Sequence, residues 1–215
     1  MPWHTGLHEP VEKGGRMGSR DWEAHYVAGD TPWDHGEAVP GLVDFLVAQA
    51  GMAQGRVLVP GCGMGHDAAA WAGAGCDAVG LDLAPTAVAR ATERWRGKAG
   101  LAFRPGDFLD SEGADGTFDW VFEHTLYCAI DPALRDRHAR AVARWLRPGG
   151  HFLAVHYMNP DTDQGPPFPC TRDEVVARFG AELELLADWV PRSWESRTGR
   201  ERMFWWRRKA SSGGG

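Results

Sequence analysis

The sequence contains no Cys-x-x-Cys pair. Its four cysteines, Cys62, Cys76, Cys128 and Cys170, stand singly along the chain, which argues against a zinc knuckle or a disulfide framework and suits a reducing compartment. Also missing is any run of about 18 apolar residues, the length a membrane-crossing helix needs, and any apolar stretch behind a basic start at the N-terminus. A soluble, cytoplasmic protein without a membrane partner is the expectation. Positive charge is not in excess either: 23 Lys and Arg face 29 Asp and Glu, a formal net charge of −6. That leaves no electrostatic footprint for a nucleic-acid backbone, so a small-molecule partner is expected. The one basic stretch, between Pro191 and Lys209, reads as a solvated edge strand and terminus. There is no internal repeat, and no metal site is expected: His66-Asp67 has no third ligand at helical or loop spacing and reads as a helix cap.

What is present fits one domain, since 215 residues with 43% hydrophobic content suffice for one buried core. Residues 1–20 read as a flexible arm and 210–215, with SSGGG, as a flexible tail, leaving 21–209 as a single domain. Within it a helix is expected after Pro40, and then short apolar runs alternate with helical patterns. Strands are expected over 56–60, 77–83, 101–108, 118–124, 151–157, 182–190 and 201–208, and helices over 66–73, 85–96, 132–146 and 171–179. This alternation predicts an α/β fold, a Rossmann-like, doubly wound, mostly parallel sheet. Only about ten residues join the last two strands, too few for a parallel crossover, so an antiparallel hairpin is expected at the sheet edge.

Parallel α/β sheets bind ligands beyond the carboxyl ends of their strands, and here successive strand ends carry binding chemistry. The first ends in Gly61-Cys62-Gly63-Met64-Gly65, a turn whose glycines permit positive φ and close approach of a ligand. The second ends at Asp82, a carboxylate placed for ribose hydroxyls. The third ends in Asp107-Phe108, an acceptor and an aromatic face suited to adenine, and the fourth in Glu123-His124-Thr125. A dinucleotide fingerprint would need glycine where His66 stands. S-adenosylmethionine, a zwitterion with a sulfonium cation, fits better, because Trp22, Tyr26 and Trp33 lie just ahead of the fold as an aromatic lid for a cation.

The order WEAHY, GDTPWDHG, LVPGCGMGHD, GLDL, GDF, FDWVFEHTLYCAI and LRPGG resembles the thiopurine methyltransferase superfamily, most closely its thiol and halide methyltransferase branch, from about Asp21 to Lys209. TPWD, VPGCGxGHD and CAI are its specific parts; LRPGG is common to many class I methyltransferases. The resemblance implies a class I methyltransferase fold with S-adenosylmethionine as co-substrate and no metal. It implies that Trp22, Tyr26 and Trp33 line the cofactor site, that Gly61, with Gly63 in the same turn, cradles the methionine part, and that Asp82 holds the ribose. It also implies that Asp107 and Phe108 hold the adenine and that His124 sits near the sulfonium. Tyr26 stands where that branch carries a tryptophan, and His124 where it carries a tyrosine. EHTLYCAI is unlike the Asp-Arg-containing stretch of thiopurine methyltransferases themselves.

The expected activity is methyl transfer to a small soft nucleophile, foremost a thiol or hydrosulfide sulfur. Alternatives are an oxygen or nitrogen acceptor, a halide or metalloid anion, or a cofactor-binding protein without catalysis. A thiol near pKa 8.5 must lose its proton before attack. The candidate bases are His124, His35, Tyr127 and Tyr157, with His124 preferred for its pKa near neutrality. The oligomeric state is left open, a monomer being plausible.

Overall fold

A computed structural model of the chain describes residues 20–110, 116–161 and 164–210. The arm expected over 1–20 therefore lies outside the described residues except for Arg20, and the tail except for Ala210.

Helix α1 (Trp22–Ala28) starts where the Asp21 side chain accepts the Ala24 N–H and stops at Gly29 in the left-handed region. Helix α2 (Pro40–Ala48) opens with proline at a position where a missing N–H costs nothing. The sheet begins with β1 (Arg56–Pro60), buried along its last four residues, and continues through α3 (His66–Gly73), β2 (Asp77–Asp82) and α4 (Pro85–Arg94) to β3 (Leu101–Pro105). Then come β4 (Phe118–His124), α5 (Arg135–Trp145), β5 (Leu146–Tyr157), α6 (Arg172–Phe179), β6 (Leu183–Trp189) and β7 (Glu201–Arg208).

All seven strands form one sheet in the order β3-β2-β1-β4-β5-β7-β6. The five strands β1 to β5 pair in parallel with their neighbours, and β7 runs antiparallel between β5 and β6. This is the mostly parallel sheet with an antiparallel hairpin that the alternation of patterns predicts. The inner strands β1 and β4 and the second half of β5 are largely apolar because both faces are covered. On one face Leu58, Val121 and Phe152 pack against Val142 of α5 and Phe179 of α6. On the other, Val57, Trp120 and Leu153 pack against Leu42 of α2 and Trp71 of α3.

Several boundaries differ from the sequence expectation. Strand β5 starts at Leu146, not 151: Leu146 pairs with Phe118, and the register slips before Trp120 meets His151. The Pro148-Gly149-Gly150 turn is thus an irregularity within a strand rather than its start. Strand β3 stops at Pro105, after which the chain turns at Gly106 into a short 3-10 turn over Phe108–Asp110. The basic segment is not a solvated edge, because β6 covers β7. Arg202 and Arg207 meet Asp188 and Glu184 across the hairpin, and Arg192 meets Asp44.

Candidate active site

Glycine decides the turn after β1. Gly61, Gly63 and Gly65 take φ of +62°, +50° and +79°, values that L side chains rarely adopt. Space demands glycine as well: a Cβ on Gly63 would lie 2.7 Å from the Tyr26 hydroxyl, and one on Gly65 would strike the Phe103 ring. Gly65, not a side chain, caps α3, so the expected capping role of His66-Asp67 is corrected. His66 Nε2 reaches Asp34 at 3.3 Å. Asp67 accepts the Val39 N–H at 2.8 Å and faces His124.

The turn is locked to the end of β2. Asp82 accepts the Gly63 N–H at 2.8 Å through one carboxylate oxygen and the Ala84 N–H at 2.9 Å through the other. Burial raises its pKa, and the backbone hydrogen bonds from Ala84 and Gly63 pull it back. The Leu83 N–H also acts on the carboxylate, and the side chain forms part of the wall of a cavity of about 360 Å³ above the carboxyl ends of the strands.

Helix α1 and the segment after it roof this cavity. Glu23 anchors the roof by accepting the Thr86 N–H at 3.0 Å and the Thr86 hydroxyl at the first turn of α4. Trp22 and Trp33 meet edge to face at 5.3 Å, and the Trp33 Nε1–H donates to the Tyr26 hydroxyl at 3.2 Å. Burial, followed by the charge of Asp82, raises the Tyr26 pKa, so its hydroxyl keeps its proton.

The opposite end of the cavity is a cluster of charge. After β4, Thr125 takes φ +57°, a strained conformation for a β-branched residue, and the turn leaves His124 on the cavity wall. The His124 Nδ1 lies 3.2 Å from Asp67 Oδ2, and its Nε2 lies 3.2 Å from Arg197 Nη1. Arg197 Nη1 also donates to Glu201 Oε1 at 3.2 Å. A guanidinium only donates, so in the neutral ring Nε2 is the acceptor and the proton sits on Nδ1, facing Asp67; in the imidazolium Nε2–H faces Glu201 Oε1, 3.7 Å away. Burial opposes a charge on His124, but hydrogen bonding to Asp67 and Glu201 and their charges prevail, and its pKa is raised. Tyr157 completes this end: its hydroxyl accepts from Arg200 at 3.1 Å, and the Arg197 guanidinium lies 5.6 Å from its ring centre.

Comparison with known proteins follows this geometry. The family model described as thiopurine S-methyltransferase matches residues 17–204. The chain belongs to the thiopurine S-methyltransferase family. It is 34% identical over 208 residues to thiocyanate methyltransferase 1 of Brassica oleracea, covering 94% of this chain and 88% of that one. It is likewise 34% identical over 176 residues to "Probable thiol methyltransferase 2" of Arabidopsis thaliana, covering 79% and 77%. The N-methyltransferase NodS of Bradyrhizobium japonicum, solved with S-adenosyl-L-homocysteine, superposes with a TM-score of 0.67 at 16% identity, over 86% of this chain and 95% of that one. The fold is therefore that of class I methyltransferases, and the protein is an S-adenosylmethionine-dependent methyltransferase.

In this methyltransferase the cavity brings together Trp22, Tyr26, Trp33, Gly61, Asp82 and Phe108, and at its other end His124 and Tyr157. Gly63 stands behind the wall, its N–H spent on Asp82. The remaining candidates sit elsewhere. Asp107 uses its carboxylate to accept the Leu109 N–H at 2.8 Å and is not on the wall. Tyr127 is fully buried beneath the cavity, with its hydroxyl donated to Glu174 at 2.9 Å and its ring stacked on His156. Burial and Glu174 raise its pKa, so it is poorly placed to exchange a proton with a ligand. His35, a candidate base, is not on the wall but stacks on Trp194 at 3.9 Å, and burial, then Arg197, lower its pKa.

Three basic wall residues escape sequence reasoning. Arg197 sits in the stretch read as solvated. A topological signal was nevertheless available: β6 runs parallel to β5, so the β6–β7 connection falls at the ligand-binding edge of the sheet. Arg20 belongs to the segment read as an arm, yet stacks on the lid. His138, in the middle of α5, is fully buried beside the cavity. Its Nε2 meets Glu123 Oε2 at 2.7 Å, and His156 Nε2 meets the other oxygen of Glu123 at 2.6 Å. Burial works to raise the Glu123 pKa, but the charges and hydrogen bonds of the two imidazoles override it and hold it at about 2.

Proposed function

We propose that this methyltransferase transfers the methyl group of S-adenosylmethionine to the sulfur of a small thiol or hydrosulfide, at the end of the cavity formed by Arg197, His124 and Tyr157. The observation that carries the reading is the guanidinium of Arg197 held against an imidazole lone pair on the cavity wall. Such a pair receives a proton and stabilises the anion left behind. The names of the relatives, one acting on thiocyanate and one on thiols, support the same acceptor class.

S-adenosylmethionine supplies an electrophilic methyl group on a sulfonium, and its thioether leaves without needing a proton. The residues present fit it. Gly61 brings bare backbone to the cavity wall, and Asp82 offers its buried carboxylate beside it. In this reading Asp82 holds the ribose, Phe108 faces the adenine, and the Trp22, Tyr26 and Trp33 roof excludes water and favours the sulfonium. Asp107 serves the adenine end by shaping the turn over 106–109. The chain's contribution is mainly orientation, which can supply roughly 7–11 kcal/mol of a displacement barrier.

Proton transfer follows from the tautomer. As an acceptor thiol enters, its S–H proton passes to His124 Nε2, and the Arg197 guanidinium turns from that nitrogen to the new thiolate. The thiolate then forms the S–CH₃ bond as the bond from sulfonium to methyl breaks, and that electron pair stays on the departing thioether. Asp67 and Glu201 stabilise the imidazolium until its proton returns to water. Tyr157 flanks the guanidinium and shapes the acceptor end. The reading includes a reducing, cytoplasmic setting, supported by four free cysteines.

The test is release of S-adenosylhomocysteine across hydrosulfide, an alkyl thiol, an aromatic thiol, iodide and a catechol. Turnover of the sulfur acceptors is expected. Turnover of the catechol or iodide alone, or silence in a protein that binds S-adenosylhomocysteine, would overturn the acceptor assignment. His124→Phe should lose turnover with an un-ionised thiol while keeping it with an acceptor already anionic at assay pH. Equal loss for both would remove His124 from the proton transfer.

A further inference from the structure

We propose that Arg20 binds the α-carboxylate of the methyl donor, clamping the aminoacyl end of S-adenosylmethionine from the roof of the cavity. The inference rests on the reading of the cavity as the donor site and adds a ligand for its one anionic group.

Two guanidiniums lie on the cavity wall, those of Arg20 and Arg197. Arg197 is already matched by the buried carboxylate of Glu201 at 3.2 Å. Arg20 meets no carboxylate among the described residues. Its Nε donates to His25 Nε2 at 2.7 Å, and His25 turns its other nitrogen to Asp30 at 3.1 Å. His25 is thus the tautomer with its proton on Nδ1, a neutral acceptor that positions Arg20 without neutralising it. The Arg20 guanidinium carbon lies 5.4 Å from the Trp22 ring centre and 5.5 Å from that of Trp33, so two indoles hold the planar fork in place. The inner nitrogen is occupied, and the two terminal nitrogens remain as the pair of donors that matches a carboxylate bidentately.

The neighbours of Arg20 fix which end of the donor it serves. Arg20 stacks on Trp33, Trp33 donates to the Tyr26 hydroxyl at 3.2 Å, and that hydroxyl lies over Gly63. This chain of contacts ties the guanidinium through Trp33 and Tyr26 to the glycine turn, whereas Phe108 and Leu83 border the part of the cavity read as the nucleoside end. The donor carries a carboxylate only on its amino-acid part, and an uncompensated cation beside an acidic ribose site is where that group gains most.

Calorimetric binding to wild type, Arg20→Gln and Arg20→Lys distinguishes the alternatives, with S-adenosylhomocysteine and its decarboxylated counterpart, S-adenosyl-3-thiopropylamine, as probes. Arg20→Gln is expected to weaken S-adenosylhomocysteine by about ten- to a hundredfold, the range for a hydrogen bond between charged groups. It should leave the decarboxylated ligand unchanged, and Arg20→Lys should recover part of the loss. Equal weakening of both ligands would assign Arg20 to holding the roof rather than the carboxylate, and no change in either would also overturn the proposal. Failure of wild type to bind S-adenosylhomocysteine would instead sink the donor-site reading itself.

Discussion

The end of the cavity proposed for the donor is made by turns, each complete within a few residues: Gly61 to Gly65, Asp82 to Ala84, and Gly106 to Leu109. Each follows a strand whose apolar run places it, and the first two are joined by the bond from Gly63 to Asp82. The end proposed for the acceptor is made by contacts between distant segments. His124 ends β4, Asp67 lies in α3, Tyr157 ends β5, and Arg197 and Glu201 flank the start of β7. One end is a set of local conformations aligned by the sheet, and the other is an electrostatic arrangement in which no member has its property alone. His124 is raised by its neighbours, and Glu201 is lowered by His124 and Arg197 against the effect of burial. Changes at the donor end should act through binding, whereas changes at the acceptor end should act through chemistry.

The largest effect is expected beneath both ends, where Glu123 joins His138 and His156. Glu123→Gln leaves two buried imidazoles without their carboxylate and should cost about 3–5 kcal/mol of stability, the range for breaking a buried pair, measured by urea unfolding. The pH dependence has a definite sign. Glu123 is held near 2 in the folded protein against an ordinary 4.5. Its contribution is therefore present above pH 4.5 and is lost as pH falls from there toward 2. The variant should lack this acid limb, and an unchanged limb would show that other carboxylates govern it.

Next comes Asp82→Ala, which removes the acceptor for two backbone N–H groups as well as the proposed ribose ligand. S-adenosylhomocysteine affinity should fall by at least about a hundredfold, since an orphaned buried donor alone costs about 1–3 kcal/mol. An affinity within threefold of wild type would break the assignment of this end to the donor. Arg197→Met should produce the complementary pattern. Turnover of a thiol should drop by about ten- to a hundredfold while S-adenosylhomocysteine binding stays within about twofold. Equal loss of both would erase the distinction between the two ends. The smallest effect belongs to the exposed pair of Arg192 with Asp44. Arg192→Ala should change stability by no more than about 1 kcal/mol and should leave turnover unaffected, which sets the background for the other three.

Legibility in the sequence follows the same division. The strands, the glycine turn, Asp82 and Phe108 were readable because period, turn chemistry and strand-end position are local properties. Tyr127 was misplaced because a tyrosine in the loop after β4 looks available until α6 brings Glu174 to its hydroxyl. Arg197 and Arg20 were read as solvent-facing because a charged residue in a basic or irregular segment carries no local mark of its partner. His138 showed nothing, since a histidine inside a helix reveals its role only when the buried carboxylate of a neighbouring strand faces it.

By itself the sequence determined the α/β alternation and the position of the glycine turn at the end of the first strand. Those follow from backbone preferences and from the burial of apolar runs, which act within a few residues. Only the tertiary structure decided which charged groups face one another above the sheet, and so which imidazole meets a guanidinium and which guanidinium, among the described residues, has no carboxylate. Charge interactions fall off within several ångströms and depend on burial, so they exist only once the fold has brought their partners together.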